Sequence, residues 1–183
     1  NHYHPSMSLE SRIKSAIRDV PDFPKPGILF KDITPMLADP HLVKDVIQAI
    51  AEQYKGEKID AIAAVEARGF IFGSILAQEL QCAFVPMRKS GKLPYKTISQ
   101  EYALEYGTAS VEVHEDGIKK GWNVLVHDDL LATGGTASAA GWLVQQLGGK
   151  VAGFSFLINL SFLPGEKKLA DEFKVQPKYI LKY

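Results

Sequence analysis

The chain has 183 residues, 46% of them hydrophobic and 23% charged, and its 21 basic and 21 acidic side chains cancel to zero net charge. That length carries one domain with a full core and room for a small subdomain, while the balanced charge argues against a protein that grips nucleic-acid phosphates. No apolar run approaches the roughly 18–20 residues of a membrane span, and the lone Cys82, set in an apolar run, excludes an intrachain disulfide framework or a multi-cysteine metal site, which suits a reducing cytosol.

Residues 1–6 (NHYHPS) are polar and lead into no signal-peptide core; Met7 reads as the natural start, so residues 1–6, with His2 and His4, are set aside as a cloning remnant. Leu9, Ile13, Ala16, Ile17 and Val20 recur near helical spacing and predict an amphipathic helix over Ser8–Val20, stopped by Pro21. PDFPKPGILFKDITP follows, too proline-rich for a central strand, and reads as an ordered loop with one extended piece, Ile28–Phe30. Asp39-Pro40 supplies an N-cap acceptor and a proline at the first helical position, opening a helix with an apolar face from Leu42 to Tyr54.

Ile59–Val65 is a nearly continuous apolar strand, Gly69–Leu80 a helix and Cys82–Met87 a second buried strand. Residues 104–117 (LEYGTASVEVHEDG) alternate apolar and polar side chains, as a half-exposed strand near an antiparallel hairpin does. Asn123–Val126 is a third buried strand, Thr136–Leu147 a helix closed by Gly148-Gly149, and Val151–Leu160 a fourth strand. This order predicts an α/β domain with a mainly parallel sheet covered by helices on both faces.

In such a sheet ligands gather beyond the carboxyl ends of the strands. Three predicted strand ends carry polar groups: Glu66-Ala67-Arg68-Gly69, Arg88-Lys89-Ser90-Gly91-Lys92 and Asp128-Asp129. After the last comes ATGGTAS, residues 132–138, where glycines turn the backbone and the free N–H groups of a helix start face outward, a cradle for an anion. It lacks the lysine of GxxxxGK[ST] and the spacing of GxGxxG. Two carboxylates beside a phosphate repel it unless something neutral lies between. A ribose does so, its hydroxyls donating to Asp128 and Asp129 while its 5-phosphate reaches the cradle. A diphosphate on the far side would call for Arg68, Arg88, Lys89 and Lys92, and for Mg²⁺ held mainly by the phosphates. Together these parts predict a 5-phosphoribose carrying a diphosphate at C1.

The apolar strand, Asp-Asp and ATGGT resemble the phosphoribosyl-diphosphate motif of the type I phosphoribosyltransferases. FPKPGILFKDITPML, EARGFIFG, VPMRKSGKLP, YALEYGTASVEVHEDGI and VHDDLLATGGTASAA resemble, in order and spacing from about residue 12 to 160, the adenine-specific branch of that family. The resemblance implies a small base-binding hood with the N-terminal helix over residues 7–40, a core over 41–183 compact with it, and a flexible hairpin lid at roughly 91–108 that holds Lys92 and Tyr106. It implies transfer of 5-phosphoribose from phosphoribosyl diphosphate to N9 of adenine, giving AMP and diphosphate in purine salvage, by a cytoplasmic homodimer using substrate-bound Mg²⁺.

By the same resemblance Ala132, Thr133, Gly134, Gly135 and Thr136 hold the 5-phosphate. Asp128 and Asp129 face the ribose hydroxyls and, through water, Mg²⁺, with no direct protein ligand to the metal. Ala67, Arg68, Gly69, Arg88, Lys89 and Lys92 meet the diphosphate. Glu105, next to Tyr106, is the catalytic carboxylate that relays protons near the purine N7. Backbone groups of Leu29 and Lys31 read the N6 donor and N1 acceptor of adenine, with Phe30 stacked on one face and Leu130 covering the other. A 6-oxopurine would place its own acceptor against a carbonyl, a mismatch that discriminates strongly. His127 departs from the apolar residue usual before Asp-Asp; alternation turns it away from Asp128, as a packed or hydrogen-bonded structural histidine.

Two alternatives remain at this point: an enzyme for another base, such as xanthine or hypoxanthine, and a non-catalytic regulator that binds phosphoribosyl diphosphate. The short segment before FPKPG leaves little space for a DNA-binding domain, and the intact basic strand end together with Glu105 favours the enzyme.

Overall fold

The computed structural model of the chain describes residues 7–104 and 106–183. It divides into two compact units, one ending at Ala49 and one running from Ile50 to Tyr183.

The first unit contains α1 (Leu9–Ala16), β1 (Arg18–Pro21), β2 (Leu29–Asp32), α2 (Thr34–Leu37) and most of α3 (Pro40–Gln53). Ser8 caps α1, its Oγ accepting the Ser11 N–H at 3.1 Å. The helix expected to reach Val20 ends at Ala16, and Ile17 is already extended at ψ 134°. Two constraints end it early. Val20 precedes a proline, which disfavours helical backbone there. In the antiparallel ribbon of β1 and β2, Arg18 stands opposite Asp32 and Asp19 opposite Lys31. Both pairs close, at 3.1 and 2.7 Å, and opposite charges directly across a ribbon favour the strand by a few tenths to about 1 kcal/mol each. β2 takes up the expected extended piece, starting one residue later and ending two residues later. α3 opens as its spacing predicts, with Asp39 Oδ1 accepting the Leu42 N–H at 3.1 Å, and Arg12 ties α1 to it through Asp45 at 2.7 Å.

The second unit contains β3 (Ala61–Val65), α4 (Gly69–Leu80), β4 (Ala83–Lys89), β5 (Thr97–Ala103), β6 (Thr108–His114), β7 (Asn123–Leu131), α5 (Gly135–Gln146), β8 (Lys150–Asn159), α6 (Gly165–Phe173) and β9 (Lys178–Lys182). The seven strands lie in the order β5-β6-β4-β3-β7-β8-β9. The run from β4 to β9 is parallel, whereas β6 pairs antiparallel with both β4 and β5. The sheet is therefore mixed, its parallel centre extended at one edge by the hairpin that the alternation in residues 104–117 anticipates. α6 and β9 had no counterpart in the sequence reading.

β3 is buried at every residue because both of its faces are covered. Ala61, Ala63 and Val65 join Val124, Val126, Phe154, Phe156 and the inner side of α5 in one apolar cluster. On the opposite face α4 lies so close that a Cβ built on Gly73 would come within 2.8 Å of Ala64 Cβ. Cys82 precedes β4 half-buried, and burial together with the Asp60 carboxylate pushes its thiol up, as befits an inert side chain. Among the described residues no helix is long and apolar enough to cross a membrane.

Tyr54 seals the far end of β8. A Cβ built on Gly153 would stand 3.2 Å from its ring, and the phenol donates to the Phe154 carbonyl at 3.2 Å. Tyr54→Phe keeps the packing and removes the donor, so a urea titration should show about 1 kcal/mol less stability with an unchanged m-value.

Candidate active site

β7 runs past the expected end at Val126, so Asp128 and Asp129 are its last polar residues before Leu131. Asp129 is 4% exposed, and its Oδ2 meets Arg68 Nε at 3.1 Å. Asp128 is less deeply set, and its Oδ1 accepts the Asp129 N–H at 2.8 Å. Burial and the adjacent Asp129 carboxylate push Asp128 well above the usual carboxylate range, against the opposing pull of Arg68. Gly69 opens α4 directly over this pair: a Cβ there would stand 3.0 Å from Asp128 Oδ1 and 3.3 Å from its Cα.

Two helices start at this rim without side-chain caps. α4 follows β3 with Arg68 at its N-cap, and α5 follows β7 with Gly134 there at φ 88°. In α4 the Phe70 and Ile71 N–H groups donate to the Ala67 and Arg68 carbonyls at 3.2 and 3.1 Å, so the N–H groups ahead of Ser138 at the start of α5 are the ones that face an anion. The peptide between Glu66 and Ala67 in the β3–α4 loop is cis. Ala132 and Gly134 of the β7–α5 loop are backed by the start of α6. Gly165 donates its N–H to the Ala132 carbonyl at 3.1 Å, and a Cβ on Gly165 would lie 2.5 Å from that oxygen. Thr133 and Gly135 border a cavity of about 400 Å³ shared with β5, α5 and α6. Gly165 is not among the sequence-predicted site residues; Pro164-Gly165 after an apolar strand is the signal that marks it, a turn followed by a helix start.

The basic strand end is organised by Glu66, to which the sequence reading gave no role. Its Oε1 accepts the Lys89 N–H at 2.7 Å and meets Arg88 Nε at 3.1 Å. Burial works to raise the Glu66 carboxyl, but the Lys89 N–H and the Arg88 guanidinium together hold it below the usual range. Arg88 also donates to the Lys92 carbonyl at 3.3 Å, while Lys92 itself is exposed. The structure thus joins Arg68 to Asp129 and Arg88 to Glu66 at the ends of adjacent parallel strands.

At the hairpin tip the Leu104 N–H meets the Gly107 carbonyl at 3.0 Å, and Tyr106 is 81% exposed. Glu105, the expected catalytic carboxylate, lies outside the described residues. Tyr102 packs on the start of α5, 3.3 Å from the position of a Cβ on Gly135. Leu29, Phe30 and Lys31 lie on β2 in the first unit; the Phe30 ring meets Phe23 edge-on at 5.1 Å, and Lys31 pairs with Asp19. Leu29 and Lys31 are alternate residues of this two-stranded ribbon, so their N–H and C=O groups share one edge of β2. Leu130 is half-buried beside Asp129.

Residues 34–177 match the phosphoribosyl transferase domain family. An adenine phosphoribosyltransferase of Kosmotoga olearia is 56% identical over 158 residues, spanning 86% of this chain and 93% of that protein. The solved adenine phosphoribosyltransferase of Thermoanaerobacter pseudethanolicus superposes with a TM-score of 0.92 at 50% identity, covering 96% of this chain and all of the other (100%). That of Saccharomyces cerevisiae, complexed with D-2,5-dideoxy-2,5-imino-altritol 1,6-bisphosphate and adenine, gives 0.87 at 39% identity, covering 94% and 98%. The chain belongs to the adenine phosphoribosyltransferases. It is a pentosyltransferase by family, and the expected fold class stands with it.

In this adenine phosphoribosyltransferase, His127 immediately precedes the Asp-Asp pair on β7. It is fully buried (0% exposed), its Nδ1 lies 3.2 Å from Ser155 Oγ on the adjoining strand, and its Nε2 has no partner among the described residues. Its Cδ2 faces Gly73 of α4, 3.4 Å from a Cβ built there, one turn along the helix from the Gly69 that abuts Asp128. Burial brings its pKa down to about 4. The imidazole is therefore neutral when folded and protonates on unfolding below its ordinary value, so stability falls as pH drops through 6.5 toward 4.

Two outcomes follow from these contacts. His127→Val should flatten the acid limb of stability by up to about 3 kcal/mol at pH 4, measured as unfolding free energy against pH. Gly165→Ala forces a methyl against a backbone carbonyl and should lower stability by about 1–3 kcal/mol in thermal melts while weakening ribose 5-phosphate binding.

Proposed function

We propose that this chain transfers 5-phosphoribose from phosphoribosyl diphosphate to N9 of adenine, releasing AMP and diphosphate as a purine-salvage enzyme. The observation that carries this reading is the Asp128-Asp129 pair set at the strand rim from which two uncapped helices start. A ligand for that arrangement is anionic at both ends and rich in hydroxyls between. The start of α5 takes the 5-phosphate, Asp128 and Asp129 take the ribose hydroxyls, and Ala67–Gly69 with the Arg88–Lys92 end of β4 take the diphosphate. The yeast relative is complexed with an imino-altritol bisphosphate together with adenine, which supports a ligand of phosphorylated sugar and base.

In the reaction the C1–O bond to diphosphate breaks with its electron pair, C1 gains oxocarbenium character, and N9 forms the new bond while losing its proton. Glu105 relays that proton near N7, and the hairpin carrying Tyr106 covers the site against water. Backbone groups of Leu29 and Lys31 read adenine, with Phe30 on its face. Two adjacent carboxylates, one raised by burial and by its neighbour's charge, suit a cation, and in this reading Mg²⁺ would be a substrate-bound ion approached by Asp128 and Asp129. When bound it neutralises charge on the leaving diphosphate. The active assembly is a homodimer in the cytoplasm in this reading.

AMP formation from adenine and phosphoribosyl diphosphate with Mg²⁺ tests the proposal. Glu105→Gln is expected to keep sugar-phosphate binding while kcat falls about 10²- to 10⁴-fold, the range of lost acid–base catalysis. Asp129→Asn, which removes the carboxylate charge facing Arg68, should weaken phosphoribosyl diphosphate binding instead. Absence of AMP from the unmodified protein with ligand binding intact would leave a binding protein in place of an enzyme.

A further inference from the structure

The cradle Ala132–Thr136 contains no charged residue, so its own means of holding a phosphate dianion are N–H groups and hydroxyls. Arg68, the cation at the start of α4, is turned to Asp129. A cationic side chain does lie along the cradle, and it comes from α6. Lys168, on the first turn of that helix, lays its stem along the loop: its Cδ would be 3.4 Å from a Cβ built on Gly134. Its ammonium stands 2.6 Å from Glu172 Oε2, one turn further on. Glu172 in turn accepts the hydroxyl of Ser138, on the first turn of α5. Lys168, Glu172, Thr133 and Gly135 all border the 400 Å³ cavity beside the cradle.

Three features point to a ligand-directed charge. A cation in the first turn is opposed by the dipole of its own helix, so α6 gains nothing from a lysine at this position by itself. The close approach is built in by glycines: Gly134 takes φ 88°, and a Cβ on it would press within 3.1 Å of Gly165 Cα. The ammonium is also held in place before any ligand arrives, since Glu172, kept ionised by Lys168 and Ser138 against the opposing effect of burial, fixes it at 2.6 Å. A lysine ordered in this way loses less side-chain freedom when an anion binds.

We propose that Lys168 is a further substrate-binding residue of this enzyme, the cation that complements the neutral 5-phosphate cradle, with Glu172 and Ser138 as the groups that position it. The proposal rests on the reading of residues 132–136 as the 5-phosphate site. It places the positive field for the 5-phosphate on a helix outside the Asp-Asp motif.

The test uses the full chain with Lys168→Met, Lys168→Arg and Glu172→Gln, measuring ribose 5-phosphate binding, the KM of each substrate and kcat at low and high salt. Lys168→Met is expected to weaken ribose 5-phosphate and raise the KM of phosphoribosyl diphosphate about tenfold, with a flatter salt dependence. The KM of adenine and kcat should stay within about twofold, and Lys168→Arg should retain most of the affinity. Glu172→Gln, which loosens the ammonium but leaves its charge, should weaken ribose 5-phosphate clearly less than Lys168→Met does and keep the salt dependence of the parent. A mere staple between α6 and α5 would behave differently: Lys168→Met and Glu172→Gln would weaken binding alike, and that result overturns the proposal, as does unchanged affinity in Lys168→Met. A Thr133→Val/Thr136→Val variant separates the two levels. If it weakens ribose 5-phosphate and Lys168→Met does not, the cradle stands without Lys168; if it binds normally, the 5-phosphate assignment itself falls.

Discussion

Two carboxylates on consecutive residues at the end of a buried strand repel each other, and much of the surrounding structure is arranged to tolerate them. Pleating sends neighbouring side chains to different faces of a strand, and Asp128 and Asp129 accordingly take different partners. Asp129 is nearly buried and takes the Arg68 guanidinium; Asp128 keeps partial access to solvent and accepts a backbone N–H. The strain that remains falls on Asp128, which holds its proton more tightly than an ordinary carboxyl. A ligand that brings hydroxyl donors, or a cation near them, relieves this repulsion. Affinity for such a ligand is thereby written into the resting site.

The parallel centre of the sheet determines where anions are received. β3 and β7 are neighbours, each followed by a helix, so two positive helix ends lie at one rim. Gly69 brings α4 against Asp128, and Gly134 turns the chain into α5. Glu66 does comparable service at the next strand, using its carboxylate to hold the Arg88 side chain and the Lys89 backbone in one arrangement. The arginines are thus supported by carboxylates before any phosphate arrives, which lowers the ordering cost of binding.

Local chemistry made much of this legible in the sequence. The long apolar runs of β3, β7 and β8 reflect a sheet centre covered on both faces, whereas β4, expected buried, is half-exposed at alternate residues, and Asp39-Pro40 announced α3 through a cap that the structure forms. Asp-Asp followed by ATGGT carried the sugar phosphate, because hydroxyl acceptors and an open helix start leave few other ligands. What stayed hidden depended on distant partners. β1 replaced the last turn of the expected helix through charge pairs with a strand more than ten residues away, and helical periodicity does not register those pairs. Glu66 looked like one more polar residue at a strand end until β4 lay beside it. α6 is polar along much of its surface, and its relation to the cradle exists only in three dimensions.

The contact of Gly165 with Ala132 also bears on how this site can change over time. Their backbones touch with no space for a single methyl group, although thirty-odd residues of chain separate them. A substitution that alters the path of either segment leaves the other unable to follow without a matching change. The cradle and the entrance to α6 therefore form one heritable unit, and variation tolerated in that region should come in coordinated pairs. A search confined to the visible strand–loop motif reads only half of what is transmitted.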